Sequence, residues 1–166
     1  MPPITHRSFV SYIDRTREFY AAQGYERPYR WARFDDVPFA PLPKPLAECR
    51  VAVVTTASPP GARSDPGSLR AGKEVWSAPV DPLPEELFTD HLAWDKQATH
   101  TDDVGSFLPI AALRAFAESG RIGSLAPRFH GVPTDYSQRR TLEVDAPEIL
   151  RRCREDEVDV ALLVPL

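Results

Sequence analysis

Apolar positions in this 166-residue chain recur with two different periods, and the switches between them predict its elements. Over residues 8–23, Phe9, Tyr12, Ile13, Thr16, Phe19 and Tyr20 fall at three- and four-residue intervals, with Asp14, Arg15, Arg17 and Glu18 between them. That is one apolar face of an amphipathic helix, capped by Thr5 or Ser8 and ended by Gly24. Residues 50–57, Arg-Val-Ala-Val-Val-Thr-Thr-Ala, form a short β-branched run and predict a buried strand. Residues 74–80 predict a short edge strand, and 82–87 at most one helical turn.

Helical spacing returns over 106–120, with Phe107, Ile110, Leu113, Phe116 and Ala117 inward, Arg114 and Glu118 paired outside, and Gly120 closing. A short strand over 121–125 leads into 126–132, and 133–141 predicts a polar loop. A third helix spans 145–156: Asp145 and Glu148 make a capping box, Pro147 sits in the first turn, and Ile149, Leu150 and Cys153 face in. Glu148–Arg152 and Arg151–Glu155 are its surface pairs. The terminal run 158–166, Val-Asp-Val-Ala-Leu-Leu-Val-Pro-Leu, predicts a parallel strand buried on both faces.

This order predicts an α/β fold, a Rossmann-like, mainly parallel sheet flanked by helices and incomplete at its C-terminal edge. Residues 1–166 make one domain: 1–49 hold the first helix and a strap rich in proline and aromatics, and 50–166 the α/β core. The 18 prolines stiffen the irregular connections, those at 38, 41, 43 and 45 favouring extended geometry. Their arrangement suits a strap pinned to a core better than a ligand for a proline-reading module. The loop after residues 50–57 lacks the GxGxxG fingerprint, which removes most support for dinucleotide binding.

A formal charge of -4, with both signs interspersed, leaves no basic footprint for nucleic acid. No apolar run approaches the roughly 18 residues of a membrane span, and the N-terminus lacks the apolar core of a signal peptide. Cys49 and Cys153 have no metal-type spacing, so a cytoplasmic protein with reduced thiols is expected, Cys153 as an inert core thiol.

Two polar constellations carry candidate chemistry. In the first, His91, Asp95, His100, Asp102 and Asp103 surround Trp94. Imidazoles and carboxylates at such separations could ligate a divalent metal through His91, His100 and Asp103, or form an acid–base pair. No HExxH is present, and a polar loop beside a pocket, its aspartates capping the following helix, is the competing reading. In the second, Arg128 and His130 precede Asp135, Tyr136, Ser137, Arg139 and Arg140. Adjacent guanidiniums suit a carboxylate or phosphate, or simply pair with nearby acids. A serine nucleophile at Ser106 or Ser137 lacks a GxSxG elbow.

The stretches Asp90-His91-x-x-x-Asp95, Phe107-Leu108-Pro109 and Arg121-Ile122-Gly123-Ser124-Leu125-Ala126-Pro127-Arg128 carry a further signal. So do Gly131-Val132-Pro133-Thr134-Asp135-Tyr136-Ser137-Gln138-Arg139-Arg140-Thr141, residues 145–152 and residues 158–165. Together they resemble the selenoprotein B family of glycine, sarcosine, betaine and D-proline reductases. The resemblance implies that the terminal strand is followed by a selenocysteine or cysteine, then Pro-x-Cys-His-Gln and a substantial C-terminal portion.

On that reading the 166 residues are an N-terminal fragment, inactive alone, because a selenocysteine codon is read as stop without its insertion machinery. The resemblance further implies a small amine or amino-acid substrate and a thiol/disulfide electron-donor protein. It places His91, Asp95, His130, Asp135, Tyr136, Ser137, Arg139 and Arg140 around the pocket, with no cofactor or catalytic nucleophile in the fragment itself. Homo-oligomerisation through exposed sheet edges is also expected. The alternatives are a complete small-molecule-binding α/β domain without a redox role and, further off, a metal-dependent hydrolase using His91 and His100.

Overall fold

A computed structural model describes residues 12–25, 27, 32–37, 40–59, 74–87, 101–132, 134 and 137–166. The chain divides into two compact units, Met1–Pro38 and Phe39–Leu166. The first contains helix α1, Tyr12–Ala22, which Gly24 follows at φ 83, a left-handed conformation that suits glycine. Tyr20 packs edge-to-face on both Phe19 and Tyr25, with ring centroids 5.5 and 5.6 Å apart.

The second unit is an open, mainly parallel α/β sheet. Strand β1, Arg50–Thr55, lies at its centre. One edge of β1 pairs in parallel with β3, Ser124–Leu125, and then with β4, Arg128–Gly131. The register offset grows by two residues between these pairings, so β3 and β4 are halves of one strand interrupted at Ala126 and Pro127. Strand β2, Trp76–Pro79, is antiparallel to β4 and forms one border of the sheet, as its short sequence predicts. Strand β5, Val160–Val164, runs parallel to β1 along its whole length and, among the described residues, forms the other border.

Alternation along the strands divides the core in two. Val51, Val53 and Phe129 face helix α2, Ile110–Glu118, and pack with Phe107, Leu108, Ile110 and Leu113. Each of these fully buried side chains contributes roughly 1.5–3 kcal/mol relative to exposure. Ala52 and Ala126 face the opposite way, against Ile149 and Cys153 of helix α4, Ala146–Glu155. The helices therefore flank the sheet on its two faces.

Five local readings change. The terminal strand is a border strand among the described residues: it pairs along one edge, and Leu162 is 40% and Leu163 71% exposed. The third helix begins earlier, as α3, Gln138–Arg140, and runs through a π-turn, Thr141–Asp145, into α4. Its cap is Ser137, whose Oγ accepts the Arg140 N–H at 3.2 Å, whereas Asp145 lies inside the helix at φ -71, ψ -47 and Glu148 turns to Arg151 and Arg152. Pro147 explains the π-turn: it has no N–H for the carbonyl four residues back, and the wider turn absorbs the interruption. Arg114 donates to the Val80 carbonyl at 2.6 Å, and Phe116, 37% exposed, stacks under Arg121. Leu150, read as inward, is half exposed. The pairs Glu148–Arg152 and Arg151–Glu155 form as predicted.

Candidate functional site at the carboxyl edge of the parallel strands

Strands β1, β4 and β5 point the same way, so their carboxyl ends share one rim of the sheet. The connection after β1 returns to the sheet as β2 before it reaches α2 on one face, whereas the chain leaving β4 enters the helix on the opposite, α4 face. Adjacent parallel strands whose exits diverge in this way open a crevice at their carboxyl ends, the usual ligand position in such sheets.

Side chains on this rim fix its backbone. Thr56 Oγ1 accepts the Leu166 N–H at 2.9 Å and lies 3.3 Å from the Leu166 carbonyl, to which it donates. This two-point clasp holds the segment after β5 against the end of β1. Thr55 is buried; its carbonyl accepts the Val132 N–H at 2.9 Å, which ties the exit of β4 to that of β1. Trp76 Nε1 donates to the Ala57 carbonyl at 3.2 Å, and its ring meets Phe129 edge-on at 5.4 Å. Gly131 is required opposite that indole, because a Cβ there would overlap it.

Beneath the rim, on the α4 face, lies a buried polar relay. His130 Nδ1 is 2.8 Å from Ser77 Oγ, its cross-strand neighbour on β2. Arg152 of α4 donates to the same Oγ at 2.7 Å, to the Val75 carbonyl at 3.1 Å and to Glu148 at 2.7 Å. Burial, reinforced by the charge of Arg128, pulls the His130 pKa down to about 4, so the imidazole is neutral. Its Nε2 is buried with no hydrogen-bond partner among the described residues. Arg128 completes the attachment of α4, with Asp156 at 2.7 Å and Glu155 at 3.0 Å.

Between β5 and the helix opens an apolar groove of about 380 Å³. Val54, Ala161 and Leu163 form its sheet side, and Ile149, Leu150 and Cys153 its helix side. Asp145, almost fully buried, also borders it and pairs with Arg140 Nε at 3.4 Å. Cys153 is a free thiol whose pKa burial raises, so it is a poor nucleophile. Cys49 is also free and buried.

His130, Ser137, Arg139 and Arg140 of the sequence-derived site lie within the described structure. Ser137 caps the helix, Arg139 faces solvent beside Glu143 at 3.8 Å, and Arg140 turns back to Asp145. Asp103 precedes a short 3-10 turn, Val104–Ser106, without capping it through its side chain. His91, Asp95, His100, Asp135 and Tyr136 lie outside the described residues. Among the described residues no three His, Cys, Asp or Glu side chains cluster to hold a metal ion, and no helix is long and apolar enough to cross a membrane. Sequence reasoning missed Thr56, Ser77, Arg152 and the burial of Asp145. Ser77 and Thr56 carry no local pattern that marks them, and Arg152 resembles any helix-surface arginine.

Comparison with characterised proteins adds a relationship. The chain is 29% identical over 128 residues to D-proline reductase subunit gamma of Acetoanaerobium sticklandii, an alignment covering 75% of this chain and 52% of that protein. The match thus spans about half of the relative's length. No family model matches the sequence, and no solved structure matches it.

Proposed function

We propose that these residues are the N-terminal part of a selenoprotein-B-like reductase, whose reactive selenolate or thiolate follows Leu166. The similarity to a D-proline reductase subunit carries this reading. The geometry supports it: Leu166 is clasped by Thr56 at the rim where parallel strands present reactive groups, so a residue added there would meet the crevice between β1 and β4.

The chemistry is reductive cleavage of a carbon–heteroatom bond in a small amine or amino-acid substrate. The selenolate or thiolate attacks the substrate, and the heteroatom leaves with a proton. A resolving cysteine then attacks the selenium or sulfur, and the carbon takes up the bonding electron pair and a second proton. The selenenylsulfide or disulfide so formed is reduced by the dithiol of an electron-donor protein, which leaves as a disulfide. Proposed pocket residues are His91, Asp95, His130, Asp135, Tyr136, Ser137, Arg139 and Arg140. Within this set the solvent-facing Arg139 suits a substrate carboxylate, and the neutral His130 stiffens the strand beneath. Cys49 and Cys153 are both buried, so neither replaces the nucleophile, and the 166 residues alone should not reduce substrate.

The deciding experiment reads the codon after Leu166 and weighs the native product. A selenocysteine or cysteine codon, a frame continuing through Pro-x-Cys-His-Gln and a correspondingly larger mass support the reductase. An ordinary stop with no related frame overturns it. That outcome would favour a small-molecule-binding α/β domain, for which the 380 Å³ groove is the candidate site.

A further inference from the structure

The border at β5 differs from the border at β2. Strand β2 is four residues long, ends in Pro79 and is held at Trp76 and Ser77, all features that discourage further pairing. Strand β5 is regular over its five residues and, among the described residues, paired on one edge only. The Asp159 N–H donates to the Arg50 carbonyl at 3.0 Å, so the amides of Ala161 and Leu163 alternate toward β1. Those of Val160, Leu162 and Val164 consequently face the open edge.

Topology says which face an added element would cover. The connection from β1 to β3, which takes in β2 before α2, runs one way across the sheet with α2 on one face; that from β4 to β5 runs the other way with α4 on the opposite face. Opposite directions on opposite faces give both the same hand, and parallel crossovers are right-handed in about 98% of cases. A further crossover outward from β5 runs in the direction of the last one, so its helix belongs on the α4 face. The apolar groove between β5 and α4 lies on that face, and Leu163, its sheet wall, is 71% exposed.

We infer that the open edge of β5 and this groove are the seat of a helix-then-strand segment continuing the chain beyond Leu166, the helix in the groove and the strand parallel to β5. The inference rests on the N-terminal reading above. Two observations favour this occupant over a second copy of the chain. Leu166 is held at the carboxyl end of β5, from which such a crossover must start, and the aligned relative has about as much length again outside the match.

The test compares the native product with the 166-residue chain by mass, by hydrogen exchange at Val160, Leu162 and Val164, and by thiol labelling of Leu163→Cys. Expected is a longer native product in which those amides exchange at least about 100-fold more slowly than in the short chain, with Cys at 163 unreactive. A longer product whose edge amides exchange as fast as in the short chain overturns the docking and leaves the reductase reading standing. A native product ending at Leu166 overturns both. Edge protection that rises with concentration of the short chain, to the level of the native product, assigns the edge to a second copy and overturns the inference.

Discussion

At the residue scale, the buried imidazole of His130 converts position into pH dependence. Its folded-state pKa of about 4 lies below the ordinary imidazole value of 6.5, so protons bind the unfolded chain more readily. The stabilisation is complete above about pH 6.5 and is lost as pH falls through the window down to about 4. At 1.36 kcal/mol per unit, the full loss is on the order of 3 kcal/mol. Urea unfolding at about pH 7 and about pH 4.5 should show most of this difference, and His130→Gln should flatten it; an unchanged slope in that variant would assign the acid sensitivity elsewhere. Thr56 offers a second residue-scale prediction. Thr56→Val deletes both bonds to Leu166 and should cost roughly 1–2 kcal/mol, with Thr56→Ser retaining most of it. Equal losses in the two variants would show that the methyl group, not the clasp, carries the effect.

Elements are joined here by a few long side chains. Arg152 reaches from α4 to Ser77 and the Val75 carbonyl, while Arg128 reaches from β4 to the end of α4. Arg152→Met keeps the apolar stem but removes the charge-assisted bonds, and should cost about 2–3 kcal/mol and increase the exchange of β2 amides. A β2 that stays as protected as before would rule out Arg152 as its tether. At Gly131 the constraint is volume. Gly131→Ala forces the Trp76 indole away from the Ala57 carbonyl; about 1–3 kcal/mol should be lost, together with a change in tryptophan fluorescence. Retained stability and spectrum would mean that the indole shifts at no cost. The helix over 138–155 illustrates how element boundaries escape local reading. Asp145, Pro147 and Glu148 carry every mark of a helix start, yet Ser137 supplies the cap and a π-turn carries the chain past the proline.

At the scale of the whole molecule, the sheet formed by the described residues is central at β1, bordered by β2 on one side and open at β5 on the other. Covering that edge should raise stability, because Leu162 and Leu163 would leave water. Each gains roughly 1–2 kcal/mol on burial, so a native product extending beyond Leu166 should withstand a higher urea midpoint than the 166-residue chain. Equal midpoints would mean that the extension leaves this edge bare.

Periodicity in the sequence determined the α/β class, the central strand around Val51–Val54, the inward positions Ile110, Leu113 and Cys153 but not Phe116 or Leu150, and the glycine stops, since each follows from contacts within one turn or one pleat. The proline-rich connections and the interspersed charges were legible for the same reason: composition acts locally. Tertiary structure decided what depends on neighbours distant in sequence. It divided one strand into β3 and β4, left β5 at a border where an apolar run suggested burial, buried Asp145 inside a helix and joined Ser77, His130 and Arg152 across 75 residues of chain. Pairing partners, desolvation and the orientation of a long side chain arise only when separate elements pack, so no local pattern records them.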